Sequence, residues 1–175
     1  MIMERAAAVL AERGDAVSMT EIAKAADVGR ATIYRYFPTR DALFVAMADA
    51  ALEDLGARVE EAGLNNLPVA EAIARITRAF IGSGQYAALL RGQRDECLSS
   101  AEVERRITEP IRALLQRGID SGVLRNDMSA DMMLTISGGL LQAGITLAIS
   151  LGGEQASATI TAVLLDGVST RACGG

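Results

Sequence analysis

The sequence predicts an all-α protein, and three observations support this prediction. Hydrophobic residues make up 50% of the 175-residue chain and aromatic residues only 3%, so mainly aliphatic side chains must fill the core. Alanine and leucine, which favour helices, abound, and only three prolines interrupt the chain. Apolar residues recur at helical spacing, and no alternation typical of strands persists.

The first two helices are predicted from their boundaries. Residues 2–13 place apolar side chains on one face, and Gly14 follows as a typical helix terminator. Ser18 and Glu21 have the spacing of a capping box, in which each side chain bonds a backbone amide of the other residue. This pattern predicts a second, short helix over residues 19–26.

The next two helices follow a three-residue turn at positions 27–29. A third helix is predicted over residues 30–37, and Pro38 ends it. Thr39 is placed to cap a long fourth helix that ends near Glu61.

The rest of the chain also has helical periodicity. We predict further helices over residues 68–81, 85–93, 101–121, 129–151 and 154–171. Pro110 is expected to kink or restart the helix over 101–121. The predicted organisation is a helix-turn-helix domain over residues 1–44 and a helical ligand-binding and dimerisation domain over 45–175.

The charge distribution favours an anionic partner for one part of the chain. The formal net charge is −5, yet Arg30, Arg35 and Arg40 lie in a twelve-residue stretch, 29–40, that contains no acid. A local basic patch can contact phosphates on nucleic acid even when the whole protein is acidic. The alternative is an ordinary solvated helix face.

The second and third helices have the arrangement of a helix-turn-helix unit, in which the second of the pair enters the major groove of DNA. On a helical wheel, Ile33 and Phe37 face inward. The opposite face carries small, polar, aromatic and cationic side chains, which suit base edges and phosphates: Ala31, Thr32, Tyr34 and Arg35.

At this point the sequence resembles the TetR (tetracycline-repressor-like) family of transcriptional regulators, over about residues 2–44. Three runs and one single position carry the resemblance: Glu12-Arg13-Gly14, Ser18-Met19-Thr20-Glu21-Ile22-Ala23, Val28, and Thr32-Ile33-Tyr34-Arg35-Tyr36-Phe37-Pro38-Thr39-Arg40-Asp41-Ala42-Leu43-Phe44. So many ordered positions with the correct spacing are far more specific than a generic helix-turn-helix pattern. Beyond them, the chain resembles the family only as a series of helices.

The resemblance implies DNA-contacting roles for eight residues. Base contacts are implied for Arg30, Ala31 and Thr32, and contacts to bases or phosphates for Tyr34, Arg35 and Tyr36. Phosphate contact is implied for Arg40, and Thr20 opens the helix that abuts the DNA backbone. Two positions depart from the family pattern: Asp27 stands where glycine is common in the turn, and Gly29 where a serine cap is common. Asp tolerates the left-handed conformation, and glycine is an acceptable N-cap.

The resemblance also implies a homodimer in which the last two helices pair with those of a second subunit. Small residues at four-residue spacing, Gly139/Ala143 and Gly144/Ala148, would let helices approach closely. The predicted interface comprises Gly139, Ala143, Leu147, Ile160, Val163 and Leu164.

A small-molecule effector pocket is implied among the middle helices. Its candidate lining residues are Ile76, Phe80, Tyr86, Leu90, Arg94, Ile111, Leu115 and Met133. The alternative for each is that it only fills the core or makes a surface ion pair.

The resulting functional prediction is a sequence-specific DNA-binding regulator, a repressor released from a pseudo-palindromic operator by an effector. The alternative is a helical protein-interaction module without ligand control. An enzyme is disfavoured because the sequence has no histidine, no phosphate-binding glycine-rich loop and no cysteine pair with metal spacing. No metal or cofactor is expected.

A cytoplasmic location is predicted because charged residues interrupt the N-terminal apolar stretch. A signal peptide requires an uninterrupted apolar segment there. Residues 132–153 are long enough to cross a membrane and contain no charged side chain. Their polar residues and five glycines, with no basic cluster at either end, favour a buried helix and no membrane partner.

Overall fold

The computed structural model describes residues 2–13, 17–83 and 100–169. Helices account for most of these residues, and the described ranges contain no strand. The predicted all-α fold is therefore confirmed. In chain order the α-helices within the described ranges are α1 Ile2–Arg13, α2 Met19–Ala25, α3 Arg30–Tyr36, α4 Arg40–Glu61, α5 Val69–Gly82, α6 Ser100–Val103, α7 Glu109–Asp120, α8 Ala130–Leu151 and α9 Gly153–Val168.

Most helix boundaries lie within one or two residues of the prediction, although α9 ends at Val168 and the helix was predicted to reach 171. The helix predicted over 85–93 lies outside the described residues. The predicted loop at 63–67 contains a short 3₁₀ helix, Leu64–Asn66. Gly63 is the N-cap of this helix and has a φ of 61°. That left-handed conformation is one that glycine adopts without steric cost.

The helix predicted over 101–121 is interrupted by a π-helical turn at Glu104–Thr108. Pro110 has no N–H, so it cannot donate a bond to the Arg106 carbonyl four residues earlier. The Glu109 N–H instead reaches the Glu104 carbonyl, five residues back. Pro110 then occupies the first turn of α7, where its missing N–H costs little. The restart expected at Pro110 is thus present.

Packing divides the chain into two compact units, Met1–Asp54 with Ser83–Ser99, and Leu55–Gly82 with Ser100–Gly175. The described part of the first unit has its own apolar core, formed by side chains from α1 to α4. Its buried members are Ala6, Val17, Met19, Ile22, Ala23, Ile33, Leu43, Phe44 and Met47.

In the second unit, α9 packs against both α8 and α5. Gly144 makes this packing close, because an added Cβ would lie 2.7 Å from Ile81 Cδ1 and 2.8 Å from Ile160 Cγ1. The small residue at this position therefore serves packing within one protomer. Ile81 and Ile160 share an apolar cluster with Leu141, Ala156 and Leu164.

Arginine side chains connect the loops and helices of the second unit. Arg117 of α7 donates to the carbonyls of Leu64 and Leu67, at 2.7 and 3.0 Å, and so holds the loop before α5. Arg112 donates to Glu104 at 2.5 Å and to Asp131 at 2.7 Å. The hydrogen bonds to these two carboxylates raise the pKa of the Arg112 guanidinium, and the bond to Glu104 contributes most.

Helix α8 is the one described helix that is long and apolar enough to cross a membrane. Only 22% of its most apolar 18-residue stretch is buried, so the protomer alone does not provide the burial on nearly all sides that the sequence predicts for this helix. Exposed apolar side chains therefore run along it, and Ile149 is 84% exposed. The others are Met132, Ile136, Leu147 and Leu151.

We expect Gly118→Ala to destabilise the second unit. A Cβ at this α7 position would lie 2.5 Å from Leu124 Cδ1 and 2.6 Å from Leu124 Cγ. Overpacking of this kind costs about 1–3 kcal/mol, which exceeds the gain of up to about 1 kcal/mol from alanine's helix propensity. Gly167→Ala is the matched control, since open space surrounds Gly167 in α9. Urea unfolding should show a lower midpoint for Gly118→Ala only, and equal midpoints would contradict the close packing.

Candidate nucleic-acid interface

Helix α2 begins with the capping box that the sequence predicts. The Ser18 hydroxyl accepts the Glu21 N–H at 3.3 Å, and the Ser18 N–H donates to Glu21 Oε2 at 2.9 Å. Two backbone amides at the helix start are thereby satisfied. Ile22 and Ala23 then point into the core of the first unit, and Thr20 is exposed at the start of the helix.

The turn between α2 and α3 is held by backbone hydrogen bonds. Ala26 is the C-cap of α2, and the Val28 N–H donates to the Ala23 carbonyl at 3.0 Å. Asp27 has a φ of 55° and is the one described non-glycine residue with a positive φ. The expectation that Asp27 adopts the left-handed conformation is confirmed, and the turn needs no glycine there.

Helix α3 is attached to the first unit through one fully buried side chain. Ile33 has no exposed surface, and Phe37 packs, partly buried, against the same core. Gly29 is the N-cap, and its carbonyl accepts the N–H groups of Thr32 and Ile33. After Pro38, the Thr39 hydroxyl accepts the Ala42 N–H at 3.1 Å and caps α4 as predicted.

The outward side of α3 carries the predicted contact residues. The side chains of this face are exposed, apart from the half-buried Thr32, and Tyr36 is 60% exposed. The residues are Arg30, Ala31, Thr32, Tyr34, Arg35 and Tyr36. The helix thus presents a contiguous face with cationic, aromatic and hydroxyl groups and no acidic side chain.

Aromatic rings hold the three arginines of this region in place, which the sequence reasoning did not anticipate. The guanidinium carbon of Arg30 lies 5.6 Å from the Tyr34 ring centroid, and that of Arg35 lies 5.3 Å from the Tyr36 centroid. Arg40 lies 4.9 Å from the centroid of the buried Phe44 ring. The i, i+4 spacing of the first and third pairs was a usable sequence signal.

Lys24 is a further candidate that the sequence analysis missed. It is exposed in the last turn of α2, the helix that precedes the turn into α3. It is also the only lysine in the sequence, and this was the available signal.

The structure gives several predicted effector residues a different setting. Ile76, Ile111, Leu115 and Met133 are buried in the second unit. Ile76 and Leu115 line an apolar cavity of about 30 Å³, enough for about one water molecule and too small for a metabolite. Phe80 packs against the cluster around Ile160. The remaining candidates, Tyr86, Leu90 and Arg94, lie outside the described residues.

The predicted dimer residues separate into two groups. Ile160 and Leu164 are 3% and 4% exposed because they pack inside the protomer, against Ile81 and Leu141, so they are unavailable to a partner. The other four are exposed on α8 and α9: Gly139, Ala143, Leu147 and Val163. Within the described ranges, no group of three His, Cys, Asp or Glu side chains is placed to hold a metal ion.

Comparison with known proteins finds a family similar to the N-terminal part of this chain. Residues 2–47 match the family described as "Bacterial regulatory proteins, tetR family". The HTH-type transcriptional repressor LfrR of Mycolicibacterium smegmatis is 35% identical over 83 residues. That alignment covers 47% of this chain but only 43% of the repressor's length.

Solved structures extend the likeness to nearly the whole chain. LfrR from Mycobacterium smegmatis in complex with proflavine has a TM-score of 0.75 at 24% identity, with 98% of this chain and 96% of that chain covered. RolR in complex with resorcinol has a TM-score of 0.60 at 26% identity, with 97% and 86% covered. Both resemble this chain in fold. The match to the tetR family of bacterial regulatory proteins thus covers residues 2–47, and beyond them the likeness is one of fold.

Proposed function

We propose that the protein is a cytoplasmic, sequence-specific DNA-binding transcriptional regulator that acts as a homodimeric repressor. The observation that carries this proposal is the exposed face of α3, where two arginine–tyrosine pairs and a threonine lie opposite a single buried anchor, Ile33. Such a face suits base edges in the major groove together with the flanking phosphates. The match of residues 2–47 to a family of regulatory proteins supports it.

The proposed DNA contact of each residue follows from its position on the helix. Arg30, Ala31 and Thr32 lie in the first turn of α3, and the N-terminal residues of a recognition helix are those that contact bases. Tyr34, Arg35 and Tyr36 contact bases or phosphates farther along the helix. Arg40 and Lys24 are assigned to phosphate, and Thr20 to the approach of α2 to the DNA backbone. Arg40 is pre-positioned by its contact with Phe44, which limits the entropy lost on binding.

For the dimer we propose a two-fold interface built from α8 and α9. The exposed pair Gly139 and Ala143 would admit a partner helix at short distance, and the exposed apolar side chains of α8 would be buried there. Leu147 and Val163 extend the same interface. A dimer presents two copies of α3, so the operator should be pseudo-palindromic with half-sites roughly 34–36 Å apart.

We further propose control by a small molecule that binds in the second unit and favours a state with reduced DNA affinity. The second unit is larger than dimerisation requires, and α4 runs without a break from the DNA-binding residues to Glu61. LfrR and RolR, which share the fold, have been solved with proflavine and resorcinol. A ligand can shift the equilibrium only as far as its affinities for the two states differ.

Selection from random duplexes followed by gel-shift titration tests the DNA proposal. Arg30→Ala should relax preference at one base pair, a loss of about 1–3 kcal/mol in discrimination. Arg40→Ala should weaken binding to all sequences and reduce the salt slope by about 1. Arg75→Ala is the control, because Arg75 pairs with Glu71 in the second unit, outside the proposed DNA interface. If a folded Arg30→Ala/Arg35→Ala/Tyr36→Ala variant bound its best site like wild type, the interface would be misassigned.

Light scattering at micromolar concentration tests the dimer. Ala143→Asp or Val163→Asp should give monomers, because each would bury an unpaired charge in the interface. Val123→Asp is the control, since Val123 is an exposed apolar residue outside α8 and α9. Dimers that survive both interface substitutions would refute this arrangement, and a wild type that partitions into detergent would point to a membrane instead.

Control by a ligand is tested by reciprocity. A compound found by thermal-shift screening should lower operator affinity roughly 5–150-fold, and the operator should lower compound affinity by the same factor. Calorimetric titration with and without operator measures both. Equal compound affinity in the two titrations would show that the compound is no inducer.

A further inference from the structure

A cleft in the second unit has the size of a metabolite site and contains none of the effector residues predicted from the sequence. Its volume is about 550 Å³, and it lies between the end of α4, the loop that follows, and the π-helical turn with the start of α7. Small-molecule sites typically measure about 300–1,000 Å³. By contrast, the cavity at Ile76 holds about 30 Å³.

Arg106 is the notable group in this cleft. Its guanidinium lies flat against α4, where a Cβ on Gly56 would be 2.7 Å from Nε and 2.9 Å from Cζ. Glycine at position 56 is therefore what allows the guanidinium to sit there. The side chain is 27% exposed, and it makes no hydrogen bond to any residue in the described ranges.

Among the described residues, Arg106 has one long ion pair, with Glu102, and no hydrogen-bonded partner. Glu102 accepts two bonds from Arg105, at 2.5 and 3.3 Å, and this pairing lowers the pKa of Glu102. The same carboxylate is 4.0 Å from Arg106 Nε, beyond hydrogen-bond distance. Arg105 is thus paired, while Arg106 offers a preorganised fork of N–H donors to the cleft.

A π-helical turn carries the two consecutive arginines that line the cleft. A π turn holds more residues than an α turn, so successive side chains diverge by a smaller angle. Arg105 and Arg106 both lie in this turn and both border the cleft. Turns of this type occur frequently at functional sites.

The remaining lining defines the ligand's other features. Aliphatic surface comes from Val59, Leu64, Pro110 and Ala113, and the described residues of the lining include no aromatic ring. Glu60 and Glu109 also border the cleft, and their negative charges disfavour a ligand with several anionic groups. One carboxylate on a short aliphatic body fits these conditions, since a guanidinium binds a carboxylate with two parallel hydrogen bonds.

We propose that this cleft binds a small aliphatic monocarboxylate, with Arg106 as the carboxylate-binding residue and Gly56 as the surface that positions it. As the chemical class and site of an effector, this inference rests on the proposed control by a small molecule. The binding itself is independent of DNA, so it is tested on the protein alone.

Isothermal titration calorimetry with sodium hexanoate tests the site on the full-length protein. Hexanoate should bind, whereas hexan-1-ol, hexylammonium and inorganic phosphate should bind at least tenfold more weakly. Arg106→Lys should reduce hexanoate affinity about tenfold or more, because lysine keeps the charge but loses the planar fork. Arg75→Lys is the matched control and should change affinity less than threefold, since Arg75 pairs with Glu71 and does not border the cleft.

A second variant tests the same site without changing Arg106 itself. Gly56→Ala should displace Arg106 and also lose hexanoate binding, while circular dichroism confirms that its helices are intact. Equal binding of hexanol and hexanoate, unchanged affinity in Arg106→Lys, or tighter binding of phosphate would each overturn the proposal. DNA selection with Arg106→Lys in the absence of hexanoate tests the proposed function separately, since Arg106 has no part in the DNA interface.

Discussion

The burial of Ile33 is the interaction on which the DNA-binding surface depends. Helix α3 has seven residues, too few to be stable alone, and Ile33 is its one fully buried side chain. With Ile33 fixed among Ile22, Leu43 and Met47, the rotation of α3 is set, and the opposite face must turn outward. The backbone of α3 sets the direction in which its arginine side chains leave the helix, and the contacts with aromatic rings then restrict their conformations.

In the second unit, glycine positions determine what is inside and what is outside. Gly144 admits Ile160 from α9, so the small-residue pair that begins with it serves packing within the protomer. Gly139, five residues earlier, has open space around it and remains on the surface with Ala143. Gly56 admits a guanidinium rather than an apolar side chain, and a polar cleft results. Three glycines of similar appearance in the sequence thus have three different roles.

Much of the fold could be predicted because its signals are local. The Ser18–Glu21 capping box, the left-handed Asp27, the Thr39 cap and the restart at Pro110 all depend on residues within a few positions of one another. The inward orientation of Ile33 followed from helical periodicity alone. The predicted dimer interface depended on which surface each side chain faces, and spacing could not supply this. Ile160, Val163 and Leu164 belong to one apolar pattern along α9, yet Ile160 and Leu164 pack against α5 and α8 within the protomer.

By itself, the sequence determined the order of the helices, their caps and the outward face of α3, because hydrogen bonds and periodicity within a helix are set by near neighbours. Only the tertiary structure decided which apolar faces remain exposed, that the Ile76 region closes to a cavity of about 30 Å³, and that Arg106 opens into a cleft. These outcomes depend on the approach of residues tens of positions apart, such as Gly56 and Arg106. Spacing along the chain does not reveal how closely such residues approach, because that distance depends on the volumes of the side chains that face each other.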